Sequence, residues 1–318
     1  MKRILITGAN GQLGRALAAA FSRRDDCSVT LTGRRPDAEA GIEALDVTDP
    51  GATERAVARG YDFVVNCAAY TAVDAAESDP EGAAALNVAA VENLCRAISR
   101  YNEGHCAGRG KEGKDGGNAT HGEGHARLVH VSTDYVFSGS GNRPYEPDDE
   151  PDPQTVYGRT KLAGEQAALS LLPAESVIIR TAWLYSPVGK NFVRTMVRLG
   201  RERSEIKVVN DQTGSPTSAA SLADAIVKVI FAPRFEAGIF HYTDRGAATW
   251  YEFAATIQRL AGNSCRVIPC RTDEYPTAAR RPAYSVLSGE KIRRVYGAEA
   301  PDWHEPLREC MAQILKNQ

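Results

Sequence analysis

The sequence predicts an α/β fold: a doubly wound parallel sheet with a smaller α/β lobe towards the C-terminus. Three observations carry this expectation. Residues 2–7 (Lys-Arg-Ile-Leu-Ile-Thr) read as a short buried strand, a glycine-rich turn follows at 8–14, and residues 15–21 read as a helix leading to a second strand at 29–32. That order opens a parallel βαβ unit. Further short β-rich runs stand at 42–48, 61–70 and 127–131, with a helical stretch at 81–100. Finally, 318 residues suggest about two domains at roughly 150 residues each, ample for a core without disulfide or metal staples.

Composition narrows the function classes. Lys and Arg number 38 against 40 Asp and Glu, a net charge of −2, which argues against a general nucleic-acid-binding surface. A hydrophobic content of 43% with 25% charged residues is that of an ordinary globular protein. No apolar run approaches the roughly 20 residues that span a bilayer. The start, Met1-Lys2-Arg3, is charged, but Ile4-Leu5-Ile6 stops at Thr7-Gly8, too short for a signal core. The seven cysteines are scattered without a CxxC pair. They fit free thiols in a reducing cytoplasm.

The first turn, Gly8-Ala9-Asn10-Gly11-Gln12-Leu13-Gly14, has the spacing G-x-x-G-x-x-G. Missing side chains let the backbone turn sharply and approach a pyrophosphate at the positive end of the next helix. Directly after an N-terminal strand, this marks a Rossmann-type dinucleotide site with Gly8, Asn10, Gly11, Gln12, Leu13 and Gly14 around the cofactor. An ordinary glycine turn would look similar in isolation. The second strand ends Gly33-Arg34-Arg35, where NAD sites usually carry a carboxylate. Guanidinium groups suit a 2′-phosphate through forked hydrogen bonds, so Arg34 and Arg35 predict NADPH, with NADH as second choice. The competing account is that both arginines are merely solvated.

Residues 42–48 look like a third strand ending in Asp46 and Val47. Asp46 either accepts a bond from the adenine amino group or caps the next helix. The run at 61–70 ends in Ala68, Ala69 and Tyr70, small enough at its alanines for a cofactor to lie close. Asn87 sits within the Ala-rich helix. Residues 102–127, rich in Gly, Lys and His, break the pattern and read as a flexible surface insertion. His105, Cys106, His121 and His125 are metal-capable types, but the glycine-rich setting offers nothing to hold them, so no metal is expected.

The chemistry-bearing residues come next. Residues 127–131 run into Ser132-Thr133-Asp134-Tyr135-Val136-Phe137, and a helix follows a proline-rich loop: Val156-Tyr157-Gly158-Arg159-Thr160-Lys161. Tyr157 and Lys161 are four apart and share one helical face. A Lys ammonium beside the phenol, or beside a cofactor ribose linking the two, would lower the Tyr pKa and make it a proton donor. A hydroxyl from Ser132 or Thr133 would hold and polarise a carbonyl. Each pair alone is weak; their order along one chain carries the weight.

These segments resemble the extended short-chain dehydrogenase/reductases of nucleotide-sugar metabolism, and within them the dTDP-4-dehydrorhamnose reductases. The resemblance rests on residues 7–14, 132–137 and 157–165. It continues in Arg180-Thr181-Ala182-Trp183-Leu184-Tyr185, Asn191-Phe192, Asp211-Gln212-Thr213-Gly214-Ser215-Pro216-Thr217 and residues 279–285. It implies NADPH-dependent reduction of the C4 ketone of dTDP-4-dehydro-L-rhamnose. Tyr157 would protonate the oxygen, Lys161 would tune Tyr157 and bind the nicotinamide ribose, and Thr133, assisted by Ser132, would bond the C4 oxygen. Asp134, Tyr135 and Trp183 would lie at the sugar, and Asn191 and Arg281 at the nucleotide or diphosphate. Arg280 would serve as well as Arg281, and a core aromatic is the other account of Trp183. Some relatives bind magnesium between two subunits through a carboxylate shortly after the glycine turn; here Arg15-Ala16 stand there, so no metal is carried over. Ser138 replaces an acidic residue after Tyr-Val-Phe, with only a loop effect expected.

In the second half, helices are expected at 221–231, 250–260 and 304–315 and strands at 238–242 and 266–269. The resemblance implies a discontinuous division: 1–185 plus 217–245 for the cofactor, 186–216 plus 246–318 for the sugar nucleotide. A cytoplasmic monomer or homodimer is expected. Two alternatives stay open: another nucleotide-sugar 4-ketoreductase or epimerase, and a non-catalytic NADP-binding regulatory subunit of the methionine adenosyltransferase type.

Overall fold

The opening βαβ unit forms as the sequence predicts. In the computed structural model, which describes residues 1–109 and 125–316, β1 (Lys2–Thr7) pairs in parallel with β2 (Cys27–Gly33), and α1 (Gln12–Phe21) crosses between them. The helix begins three residues earlier than expected, because Gly11 takes an extended N-cap conformation and Gln12 already winds. β3 (Ile42–Ala44), α2 (Pro50–Val57), β4 (Phe63–Asn66), α3 (Val73–Ser78), α4 (Pro80–Ala84), α5 (Ala90–Arg109) and β5 (Arg127–Thr133) follow. Next come α6 (Val156–Leu171), β6 (Ser176–Thr181), β7 (Leu184–Tyr185), α7 (Phe192–Glu202), β8 (Glu205–Val209), β9 (Thr213–Gly214) and β10 (Thr217–Ser218). The chain closes with α8 (Ala219–Phe231), β11 (Gly238–His241), β12 (Ala248–Thr249), α9 (Trp250–Ala261), β13 (Arg266–Cys270), α10 (Glu290–Tyr296) and α11 (His304–Lys316).

The main sheet has seven strands in the order β11-β6-β5-β4-β1-β2-β3, every pair parallel. Six of them follow the doubly wound order, and β11 adds a seventh at the edge. Alternation sorts the strand residues to two faces. Ile4, Ile6, Val129, Val177 and Ile179 join the core beneath α1 and α8. Leu5, Val64, Leu128 and Ile178 join the core beneath α2, α5 and α6. Each such side chain, fully buried, contributes roughly 1.5–3 kcal/mol. A third core holds the lobe together: Val193 and Met196 of α7 pack with Phe253 and Ile257 of α9 and Leu307 and Met311 of α11. Alongside it, β8 and β13 make a separate parallel pair. α10 returns to the sheet: Ile292 and Tyr296 join its first core, and the Tyr296 hydroxyl donates to the Glu236 carbonyl at 2.6 Å.

Several expectations need correction. β3 stops at Ala44, because Asp46 turns to bond the Thr48 backbone and hydroxyl at 3.0 and 2.7 Å. Asp49, not Asp46, caps α2, accepting from the Gly51 and Ala52 N–H groups. The stretch read as one helix at 81–100 is α4, one π-helical segment at Ala85–Ala89, and α5. α5 runs through the first part of the expected insertion to Arg109, and residues 110–124 of it lie outside the described residues. Asn102 is buried there and clamps Ala126 by two bonds, donating to its carbonyl at 3.0 Å and accepting from its N–H at 2.8 Å. His105 bonds the Tyr101 carbonyl of its own helix at 2.9 Å. His121 lies outside the described residues, as does the side chain of Cys106. Among the described residues six cysteines are free thiols, and no helix is long and apolar enough to cross a membrane.

Candidate active site

A cavity of about 690 Å³ opens at the C-terminal ends of β1, β4, β5 and β6, where they meet the lobe. Ligands bind at this edge in open α/β sheets. The glycine turn forms its floor. Gly8 has φ +67°, and a Cβ there would lie 2.7 Å from the Ala68 nitrogen; one on Gly14 would lie 2.5 Å from the Ala9 Cα. Neither position tolerates a side chain, so β1, α1 and the end of β4 draw together. No side chain caps α1, and no acidic residue stands in its first turn. The unpaired N–H groups and positive pole of that helix therefore suit an anionic group.

Of the residues expected around a dinucleotide, Gly8, Asn10, Gly11, Gln12, Leu13 and Gly14 all line the cavity. So do Arg34, Asp46, Val47, Ala68 and Ala69. Arg35 is exposed and outside the wall. Tyr70 and Asn87 stand behind it. Asn87, fully buried, accepts from the Tyr70 N–H at 2.9 Å and donates to its carbonyl at 3.2 Å and to the Thr160 hydroxyl at 3.1 Å. It ties the loop after β4 to α6.

Tyr157 and Lys161 line the cavity from α6, whose first turn Thr155 caps by accepting from the Gly158 N–H at 3.0 Å. Tyr157 packs edge-on to Tyr135, ring centroids 5.5 Å apart. Its electrostatics differ from expectation. Burial pushes the Tyr157 phenol up to about 12, with the Thr133 hydroxyl pulling the other way. The Lys161 ammonium does not offset this, since its nitrogen bonds the Val131 carbonyl of β5 at 2.6 Å. Burial lowers Lys161 itself to about 8, opposed by Glu165 and Cys67.

Ser132 and Thr133 both line the wall, but their hydroxyls are engaged differently. Thr133 donates to Asp134 Oδ1 at 2.9 Å and accepts from the Tyr135 N–H at 3.2 Å. Ser132 Oγ and Thr181 Oγ1 are buried with no protein partner among the described residues. Buried polar atoms are normally paired, so these hydroxyls are open to a polar ligand. Asp134 keeps Oδ2 unpartnered, and burial raises its carboxyl to about 6, opposed by the Thr133 hydroxyl on Oδ1 and the nearby Ser285 hydroxyl.

Trp183 lines the far wall with φ +48°, a strained conformation for a bulky residue. Its indole stacks on Trp250 at 3.5 Å and 9°, and a Cβ on Gly214 would lie 2.5 Å from it. It is therefore both a cavity wall and a packed aromatic. The Asn191 amide donates to Gln12 Oε1 and to the Ser186 carbonyl, each at 2.8 Å, while its Oδ1 caps α7 through the Arg194 N–H. These bonds tie the glycine turn to the lobe. Arg281 stands off the wall, ion-paired with Asp74. Among the described residues no group of three or more His, Cys, Asp or Glu side chains stands together as a metal site.

Sequence reasoning missed Trp250, Lys190, Thr181 and Cys67, all in the wall. Lys190 adjoins Asn191 and shared its signal. Trp250 opened an amphipathic helix and gave none.

The sequence matches the RmlD substrate binding domain family over residues 1–104 and 119–316. The chain belongs to the RmlD family. A dTDP-4-dehydrorhamnose reductase of Mycolicibacterium smegmatis is 38% identical over 99% of this chain and 86% of that protein. A probable dTDP-4,6-dihydroxy-2-methyloxan-3-one 4-ketoreductase of Streptomyces antibioticus is 41% identical over 98% and 96%. Among solved structures, the dTDP-4-dehydrorhamnose reductase of Bacillus anthracis in complex with NADP superposes with a TM-score of 0.82 at 34% identity, covering 98% of this chain and 99% of that one. As an RmlD-family member the chain is an oxidoreductase of the nucleotide-sugar reductase type.

Proposed function

We propose that the protein reduces the C4 ketone of dTDP-4-dehydro-L-rhamnose to dTDP-L-rhamnose with NADPH. The observation that carries this is the meeting of Tyr157, Lys161 and the unpartnered Ser132 hydroxyl with the glycine turn in one cavity of an RmlD-family chain. Bound NADPH would supply a hydride to C4 of the sugar. The first turn of α1 would hold the pyrophosphate and Arg34 the 2′-phosphate. Ser132, its hydroxyl free, would donate to the C4 oxygen; Thr133, its proton engaged by Asp134, would steady Tyr157. Tyr157 would deliver the proton to that oxygen as the C–H bond forms, completing the alcohol. A phenol held near 12 stays protonated at neutral pH, which suits a donor in the reducing direction. Lys161 would turn its ammonium to the nicotinamide ribose and hold positive charge beside Tyr157.

In this reading residues 1–185 and 217–245 serve the cofactor, and 186–216 and 246–318 the sugar nucleotide, α10 excepted. The protein works in the cytoplasm as a monomer or homodimer. The 41% identity to the Streptomyces antibioticus 4-ketoreductase supports a second reading, a reductase of another dTDP-linked 4-keto sugar. Nicotinamide oxidation with dTDP-4-dehydro-L-rhamnose made in situ, comparing NADPH with NADH, tests the first. Rapid oxidation with dTDP-L-rhamnose as product is expected. No oxidation of either cofactor, with NADPH still bound, would overturn it in favour of the second.

A further inference from the structure

Lys161 ends a buried chain of polar groups that crosses three strands. Thr7 on β1 donates its hydroxyl to Asn66 Oδ1 on β4 at 2.6 Å. The same oxygen accepts from the Ala68 N–H at 3.2 Å. With Oδ1 held by two donors, Asn66 presents its amide nitrogen to His130 Nδ1 on β5, 3.1 Å away. Nδ1 therefore accepts, and the ring proton resides on Nε2. Nε2 faces Lys161 Nζ at 3.4 Å. None of these four side chains is more than 1% exposed, so the chain is shielded from bulk solvent along its length.

An Nε2–H and an ammonium are both donors and cannot satisfy each other. Two arrangements resolve the conflict. In one, Lys161 is an amine and accepts from Nε2–H while Asn66 keeps its bonds. In the other, Lys161 is an ammonium donating to Nε2, the ring proton moves to Nδ1, and Asn66 turns its oxygen to the ring. The turn costs the bond to Ala68.

We propose that His130 is a positioning residue whose tautomer, set by Asn66 and Thr7, governs whether Lys161 carries its proton. Its bearing on turnover rests on the reductase reading above; the hydrogen-bond chain does not. Besides His130 on β5, the ionisable groups around Lys161 are Cys67 after β4 and Glu165 on its own helix. Glu165 is gripped by Arg180 of β6, and burial holds the Cys67 thiol neutral. Burial also keeps the His130 ring neutral. The tautomer is then the variable that remains.

The test is a ¹³C NMR titration of the lysine Cε signals in the ligand-free protein, with Lys161 assigned by its loss in Lys161→Arg. Thr7→Val frees Asn66 to turn, and His130→Phe removes the opposing donor. Both should raise the Lys161 midpoint by about half a pH unit or more, and Thr7→Ser should restore it. Unchanged midpoints in both variants would overturn the proposal. Thr7 lies outside the cavity wall, so Thr7→Val decides the matter should His130→Phe fail to fold. In turnover, the alkaline limb of kcat/KM should move with the midpoint. A protein that turns over no sugar would sink the reductase reading and leave the titration to judge the proposal.

Discussion

Arg180 on β6 grips Glu165 on α6 with three hydrogen bonds of 3.0, 3.1 and 2.7 Å, and both side chains are 1% exposed. The pair pins the helix that carries Tyr157 and Lys161 to the sheet. Removing one partner strands a buried charge, so Arg180→Met should cost on the order of 3–5 kcal/mol. Replacing both should recover much of that loss, because the desolvation penalty disappears with the charges. Urea denaturation measures it. A double variant as unstable as the single would show that the pair contributes through shape alone.

Tyr157→Phe keeps the ring against Tyr135 and removes the proton. In the reductase reading kcat should fall roughly 10²–10⁴-fold. NADPH affinity, read by fluorescence titration, should stay close to wild type. Unchanged turnover would remove Tyr157 from the chemistry.

The two arginines after β2 should behave differently, because only Arg34 lines the cavity. Arg34→Ala should weaken NADPH about tenfold and leave NADH nearly unaltered, as expected for a lost charge-assisted bond to phosphate. Arg35→Ala should do much less. Equal losses for both cofactors would point to a packing defect instead.

Asp244 predicts a pH dependence of stability. The carboxylate is fully buried, accepts from the Ser218 N–H at 2.8 Å and leaves Oδ1 unpartnered. Burial raises it to about 7, opposed by the Ser218 N–H bond and the nearby Ser221 hydroxyl. Its folded-state pKa therefore lies above the unfolded value of about 3.9. The stability it contributes is full below the unfolded pKa and is lost as pH rises towards 7 and beyond. Asp244→Asn should raise Tm relative to wild type at pH 8 and give little or no gain at pH 5. A gain of equal size at both pH values would contradict this.

Much of the sheet was legible because β1, β4 and β5 carry the short apolar runs Ile4-Leu5-Ile6, Phe63-Val64-Val65 and Leu128-Val129, the signature of strands buried on both faces. The glycine turn was equally plain, since backbone closeness leaves its mark in residue type. What could not be read are features made by distant pairing. β7, β9, β10 and β12 are two residues each and exist only through their partners. Trp250 enters the wall by stacking on Trp183, 67 positions earlier, and nothing local marks it. His130 reads as one polar residue in an apolar strand; its role depends on Asn66 and Lys161, each on another element. The Tyr157 pKa reversed its expected sign because helical spacing sets a shared face, whereas burial and the Val131 carbonyl decide where the Lys161 nitrogen goes.

The most direct test of the account is a turnover with NADPH deuterated at the transferring position of nicotinamide C4 and dTDP-4-dehydro-L-rhamnose. The expected product is dTDP-L-rhamnose carrying deuterium at C4 of the sugar, one equivalent for each NADPH oxidised. Deuterium retained in the cofactor with an isomerised sugar, or no transfer at all, would contradict it.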